Sequence, residues 1–130
     1  MNILKPVDIE NEYRLALKDY FEVYCRPLPE KYGLPCLLVQ CTGGTTRNQV
    51  DTFTVVIDAR GETDASAFEL LSNAIGVLEE QANIQDGALR NVSINSLARW
   101  GSDPMRPDLK LCTATLQVVA HREAATISES

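Results

Sequence analysis

Asp51–Gln81 reads DTFTVVIDARGETDASAFELLSNAIGVLEEQ, and this stretch decides the fold. Its first third alternates, with Phe53, Val55, Ile57 and Ala59 on one side and Thr52, Thr54, Val56 and Asp58 on the other. A period of two is that of a strand with one buried face. Gly61 breaks the strand, and Thr63-Asp64-Ala65-Ser66 supplies side-chain oxygens suited to capping a helix, with Ser66 and Glu69 at capping-box spacing. Phe68, Leu71, Ile75, Leu78 and Ala82 follow at steps of three and four, and Leu70, Ala74 and Val77 widen that stripe. The spacing predicts a long amphipathic helix laid across the sheet to which the strand belongs.

On the N-terminal side, Pro6 closes a short lead-in, and the sequence predicts a helix from about Val7 to Tyr24 with Tyr13, Leu17, Tyr20 and Tyr24 as its apolar stripe. Asp8, Glu10 and Glu12 stand in its early turns, where acidic groups complement the helix dipole. Three prolines and a glycine in the eleven residues Cys25–Pro35 make a connector. A strand over Cys36–Thr42 then precedes a polar loop, Gly43–Gln49, so the first two strands read as a hairpin with a long tip. On the C-terminal side, Asp86-Gly87 signals a turn, and Leu89–Trp100 and Leu109–His121 alternate as strands around the loop Gly101–Asp108. The expected fold is α+β, with topology α-β-β-α-β-β: a four-stranded, mainly antiparallel sheet of order 1-2-4-3 with two helices. One domain covers residues 1–122, and 123–130, which lack a core pattern, form a flexible tail.

Composition narrows the function. A net charge of −6 runs against a main role in gripping nucleic acid, which is bound by neutralising phosphates. No apolar run approaches the ~20 residues of a membrane-spanning helix. MNILKPVDIENEY lacks a basic start followed by an apolar stretch, so the expectation is a protein that stays in the cytoplasm of the cell that makes it. Cys25, Cys36, Cys41 and Cys112 form no CxxC pair, and His121 is the only histidine, so neither a zinc set nor a Cys–His couple is assembled by spacing. Gly43-Gly44-Thr45-Thr46 joins strands rather than opening a helix, and so lacks the amides that cradle phosphate. Asp58 and Arg60, two apart on one strand face, read as an ion pair. No catalytic, metal or cofactor residues are expected. The segment that stands out is Arg99–Asp108, RWGSDPMRPD, which concentrates the only Trp with arginines and a Met, residue types enriched at protein interfaces.

The element order, together with DTFTVVIDARG, ETDASAFELLSNAIGVLEE and RPDLKLCTATLQVVAHRE, resembles the tail terminator (tail completion) proteins of long-tailed bacteriophages and prophages, over about residues 7–122. The resemblance is one of pattern. The four cysteines and the GGTTRNQ tip depart from it. It implies a structural protein of the virion, made in the host bacterial cytoplasm. Such a protein forms a ring, usually hexameric, that caps the head-proximal end of the tail tube, ends tube polymerisation and offers a surface to the head connector. The implied partners are further copies of the chain, the major tail tube protein and the head connector, with DNA passing through the ring unbound and no membrane involved. Arg47, Arg99, Trp100, Met105, Arg106, Leu109 and Leu111 are the expected subunit and tail contacts, with Val119 beside Leu109 and Leu111 on an outer sheet face that a neighbouring subunit covers. Two other readings are a head-closure or neck adaptor of the same virion, and a small ligand-binding or enzymatic domain with a pocket lined by Tyr13, Tyr20, Cys25 and His121.

Overall fold

The computed structural model describes residues 1–83, 89–103 and 105–128. The turn expected at Asp86-Gly87 lies outside them. The elements are β1 (Asn2–Lys5), α1 (Ile9–Leu17), β2 (Val23–Cys25), β3 (Cys36–Arg47), β4 (Val50–Gly61), α2 (Asp64–Ala82), β5 (Leu89–Asp103), β6 (Arg106–Ala120) and β7 (Glu123–Thr126). They build a five-stranded sheet of order β2-β3-β4-β6-β5 and a separate two-stranded ribbon of β1 and β7. The fold is mostly β, with 53% of the described residues in strands.

This corrects the expected four-stranded α+β domain. Three strands have no counterpart in the sequence reading, and each was hidden for a physical reason. β2 spans only three residues, too few to show a period, and straddles the end of the predicted first helix and the start of the predicted connector. It pairs parallel with β3, Val23 opposite Leu37 and Cys25 opposite Val39. β1 and β7 have four residues each and bury neither face, so their hydropathy does not alternate. They pair antiparallel, Asn2 opposite Thr126 and Lys5 opposite Glu123, so residues 123–126 are a strand where a flexible tail was expected.

The first helix is shorter than its stripe suggests. Asp8 caps it, accepting from the Asn11 amide at 3.2 Å, but it ends at Leu17. Tyr20, Phe21, Val23 and Tyr24 follow, aromatic and β-branched types that fit a pleated surface better than a helix. Of the predicted stripe only Tyr13 and Leu17 are buried, while Tyr20 is exposed.

Both hairpins run longer than expected. β3 continues through the predicted loop to Arg47 and turns at Asn48-Gln49, whose φ values of 53° and 64° are those of a two-residue primed turn. Residues 42–50 are exposed, so the apolar alternation that marks a strand is missing. Gly44 is needed there because a Cβ would stand 2.7 Å from the Thr52 carbonyl oxygen across the ladder. Likewise β5 runs to Asp103 and β6 starts at Arg106, so the predicted loop Gly101–Asp108 is mostly two strand ends.

The core forms between one sheet face and the helices. Val39, Ile57 and Ala114 are in register across β3, β4 and β6, as are Leu37, Ala59 and Cys112, and all six are buried. Ala67, Leu71, Ala74, Ile75 and Leu78 of α2 join Tyr13 and Leu17 of α1 in the same core. The buried face of α2 therefore begins at Ala67, one residue before the predicted Phe68. The capping box is also displaced. Thr63 accepts from the Ser66 amide at 3.0 Å and the Ser66 hydroxyl accepts from the Thr63 amide at 3.2 Å, in place of the expected Ser66–Glu69 pair.

Candidate functional site

β5 closes one side of the sheet and has β6 as its only strand neighbour among the described residues. Register shifts at Arg90/Ser93, Ile94/Ser96 and Ser96/Arg99 bend it, leaving Arg99–Ser102 as a regular run opposite Thr113–Lys110. Bulges of this kind deny an arbitrary strand a long ladder. Yet this edge presents large apolar side chains to solvent: Ile94 is 40% exposed, Leu97 58% and Trp100 54%. Trp100 stands opposite Cys112, a core position, so it lies on the helix side of the sheet. There it meets Phe68 of α2, ring centroids 5.8 Å apart and planes 33° from parallel. Phe68 is displaced from the core and becomes part of this exposed apolar patch.

The β5–β6 tip next to the patch is anchored by charge. Asp103 accepts from the Met105 amide at 2.9 Å and from Arg60 Nη1 at 2.7 Å. These two donors, the amide foremost, hold the Asp103 carboxyl below its ordinary range. Burial works against the charge on Arg60, and Asp103 outweighs it, so the guanidinium stays protonated. Tyr32, from the connector, lies under both Arg60 (5.8 Å) and Arg106 (6.0 Å), and Arg106 also reaches Asp108 at 3.5 Å. The expected Asp58–Arg60 pair is not formed; Asp58 accepts from the Thr113 hydroxyl at 2.7 Å instead. The true partner of Arg60 is 43 residues away, a pairing that no local spacing announces.

The predicted contact residues are thus divided. Arg99 and Trp100 lie on the edge strand, and Met105, fully out in solvent, and Arg106 lie at its tip. Leu111 is half-buried on the outer face, as is Val119. Leu109 is only 2% exposed, so it is already covered within one copy and cannot serve as an interface residue. Arg47 is exposed at the tip of the β3–β4 hairpin, at the other end of the sheet. Phe68, Ile94 and Leu97 were missed. Phe68 fits the helix stripe too well, and the bulges of β5 break the alternation that would have shown which of its residues face outward.

The opposite side of the sheet is partly protected. β2 covers β3 from Leu37 to Val39. Beyond it Glu10 Oε2 accepts from the Cys41 amide at 2.9 Å, while Arg26 Nη2 donates to the Cys41 carbonyl at 3.1 Å and to Glu10 at 2.6 Å. For Glu10, partial burial favours the neutral acid, but the Cys41 amide and Arg26 outweigh it and lower its pKa. From Thr42 onward β3 is exposed.

The residues proposed for a pocket are not brought together. Tyr13 is in the core, where burial raises its phenol pKa strongly, and its hydroxyl has no partner among the described residues. Tyr20 borders a shallow groove of about 500 Å³ over Gly76, Val77 and Glu80. His121 instead lines a smaller hollow with Leu4, Val50 and Arg122. Burial pushes the Cys36 thiol up to about 11, far from a reactive thiolate. Among the described residues no group of three or more His, Cys, Asp or Glu side chains could hold a metal, and no helix is long and apolar enough to cross a membrane. Neither a family model nor any curated protein matches this chain.

Proposed function

We propose that the chain is a self-assembling structural protein that works as a tail terminator: copies close into a ring, hexameric by the resemblance, on the head-proximal end of a phage tail tube. The observation that carries this reading is the row of exposed apolar side chains Ile94, Leu97 and Trp100, extended by Phe68, on a sheet edge with no strand beyond it among the described residues. Phe68 against Trp100 makes a contiguous exposed apolar patch, and such a patch on a small domain marks an interaction site. Its position at one side of the sheet, with the open half of β3 at the other, suits head-to-tail contact, in which each copy offers a different surface to each neighbour and the chain of copies closes. The bulges restrict that contact to a partner that matches Arg99–Ser102 and these apolar side chains, which favours one defined neighbour over indiscriminate aggregation. The exposed tips at Arg47 and Met105 are the elements that reach the tube protein and the head connector. The net charge of −6 is compatible with a channel through which DNA slides without sticking.

The direct test adds purified chain to polymerising major tail protein of the same virion. A terminator stops tube growth and appears as a density at one end of each tube by electron microscopy. Tubes of unchanged length with bare ends overturn the reading.

A further inference from the structure

The β1–β7 ribbon lies at the margin of the body, where Leu4 shares a hollow with Val50, Val119 and His121. Among the described residues β1 pairs with β7 and with no other strand, and neither strand packs extensively on a helix or on the five-stranded sheet. A two-stranded ribbon of this kind is marginal in water when nothing covers it. Its fastenings are exposed: Lys5–Glu123 at 3.4 Å, the Thr126 hydroxyl on Asn2 at 3.1 Å, and reciprocal backbone bonds between Met1 and Ile127. Met1, Leu4 and Ile127 are all more than half exposed on it.

The two strands differ in how they join the body. β7 follows β6 after two residues, and one of them, Arg122, donates to both Asp51 oxygens at 2.9 and 3.0 Å. Asp51 is almost fully buried and also accepts from the Thr46 hydroxyl at 2.7 Å, so the base of β7 is locked to β3 and β4. Among the described residues β1 has no such hydrogen-bonded lock to the main sheet. Exposed Pro6 is the only residue between it and Val7, whose side chain enters the core. Rotation at this joint would carry β1 away from its own β7 and Leu4 out of its hollow, with Val7 left in the core.

We infer that β1 is an exchange arm: in the assembled state it leaves its own β7 and pairs with β7 of a second copy. The inference rests on the self-assembly proposed above. The ladder formed is the same one, bond for bond, so exchange costs no hydrogen bonds. It joins two copies at the hinge of one arm, the usual low-cost route of strand swapping. A four-residue strand reaches about 13 Å from that hinge, so the acceptor must be an adjacent copy.

Cysteine trapping tests it. Because Met1 and Ile127 exchange both backbone bonds, Leu4 and Ala124 form a non-hydrogen-bonded pair, the closer type and the better suited to a disulfide. Leu4→Cys and Ala124→Cys are placed in separate copies, each in a Cys25→Ser/Cys41→Ser background, then mixed, assembled and oxidised. Exchange predicts a disulfide between the two variants, a band of twice the chain mass on a non-reducing gel. Placing both cysteines in one chain then gives a ladder of multiples from the assembled fraction. An assembled fraction in which the mixed variants stay unlinked, and the double variant closes only within itself, overturns the arm while leaving self-assembly in place. If no assembled fraction forms, with or without tail tubes, both proposals fall. Circular dichroism of each variant, expected to match the parent, confirms that the substitutions, two of them at the half-buried Cys25 and Cys41, leave the fold intact.

Discussion

At the residue scale, side chains of one chemical type do different work according to where the fold puts them. Leu71 and Phe68 are neighbours on one turn of α2, and both belonged to the stripe read from the sequence. Leu71 is in the core and Phe68 faces Trp100 in solvent. Leu71→Ala should therefore cost about 2–5 kcal/mol, the range for emptying a core site, while Phe68→Ala should cost far less. Denaturant midpoints compared at constant slope check this. Thr63→Ala removes the capping oxygen of α2 and should cost about 1 kcal/mol. Asp51, Asp103 and Glu10 all have folded pKa values below their ordinary ones, through Arg122 for Asp51, the Met105 amide for Asp103, and for Glu10 donors that outweigh burial. A depressed carboxyl stabilises the fold above its unfolded pKa of about 4, and this contribution is lost as pH falls through the folded value. Melting temperature should then drop steeply below about pH 4. Asp51→Asn should lower it at neutral pH and flatten the acid decline; an unchanged acid slope would show that the Asp51–Arg122 pair contributes nothing. That chemistry was invisible in the sequence, because Asp51 and Arg122 are 71 residues apart.

At the scale of elements, what could be read was what alternates or repeats. The inward faces of β4 and β6 and the helical stripe of α2 have one wet side and one dry side, and their periods follow from that. β1, β2 and β7 are too short or too wet to carry a period, and the far halves of the hairpins are solvated on both faces. The bulged β5 hid the candidate site for the opposite reason: its apolar residues are real but fall out of step. Trp100 was legible as an interface residue by type alone. Trp100→Ala removes one partner of the Phe68 contact, so its cost in folding stability should be near the ~1 kcal/mol of such aromatic pairs, whereas its effect on assembly should be large. A melting temperature that collapses instead would make Trp100 a structural prop. Leu97→Lys changes a solvated edge position and should shift stability by no more than about 0.5 kcal/mol.

At the scale of the whole molecule, the sheet is covered by helices on one face, and β2 with the Glu10–Arg26 pair occupies half of the β3 edge, while the β5 edge keeps its exposed apolar side chains. Deleting residues 123–130 should release Asn2–Lys5 to fast amide exchange and leave the main sheet protected, because the ribbon does not pack into the core. Loss of protection across β3–β6 would show that the ribbon supports the fold. The central claim is that the β5 edge holds copies together. Light scattering on wild type and Leu97→Lys, each over a concentration series and then with tail tubes, tests it most directly. Wild type should form a discrete closed oligomer, in solution or on the tube end, and Leu97→Lys should remain a folded monomer. A wild-type chain that stays monomeric in both settings, or a Leu97→Lys variant that assembles as wild type does, would contradict it.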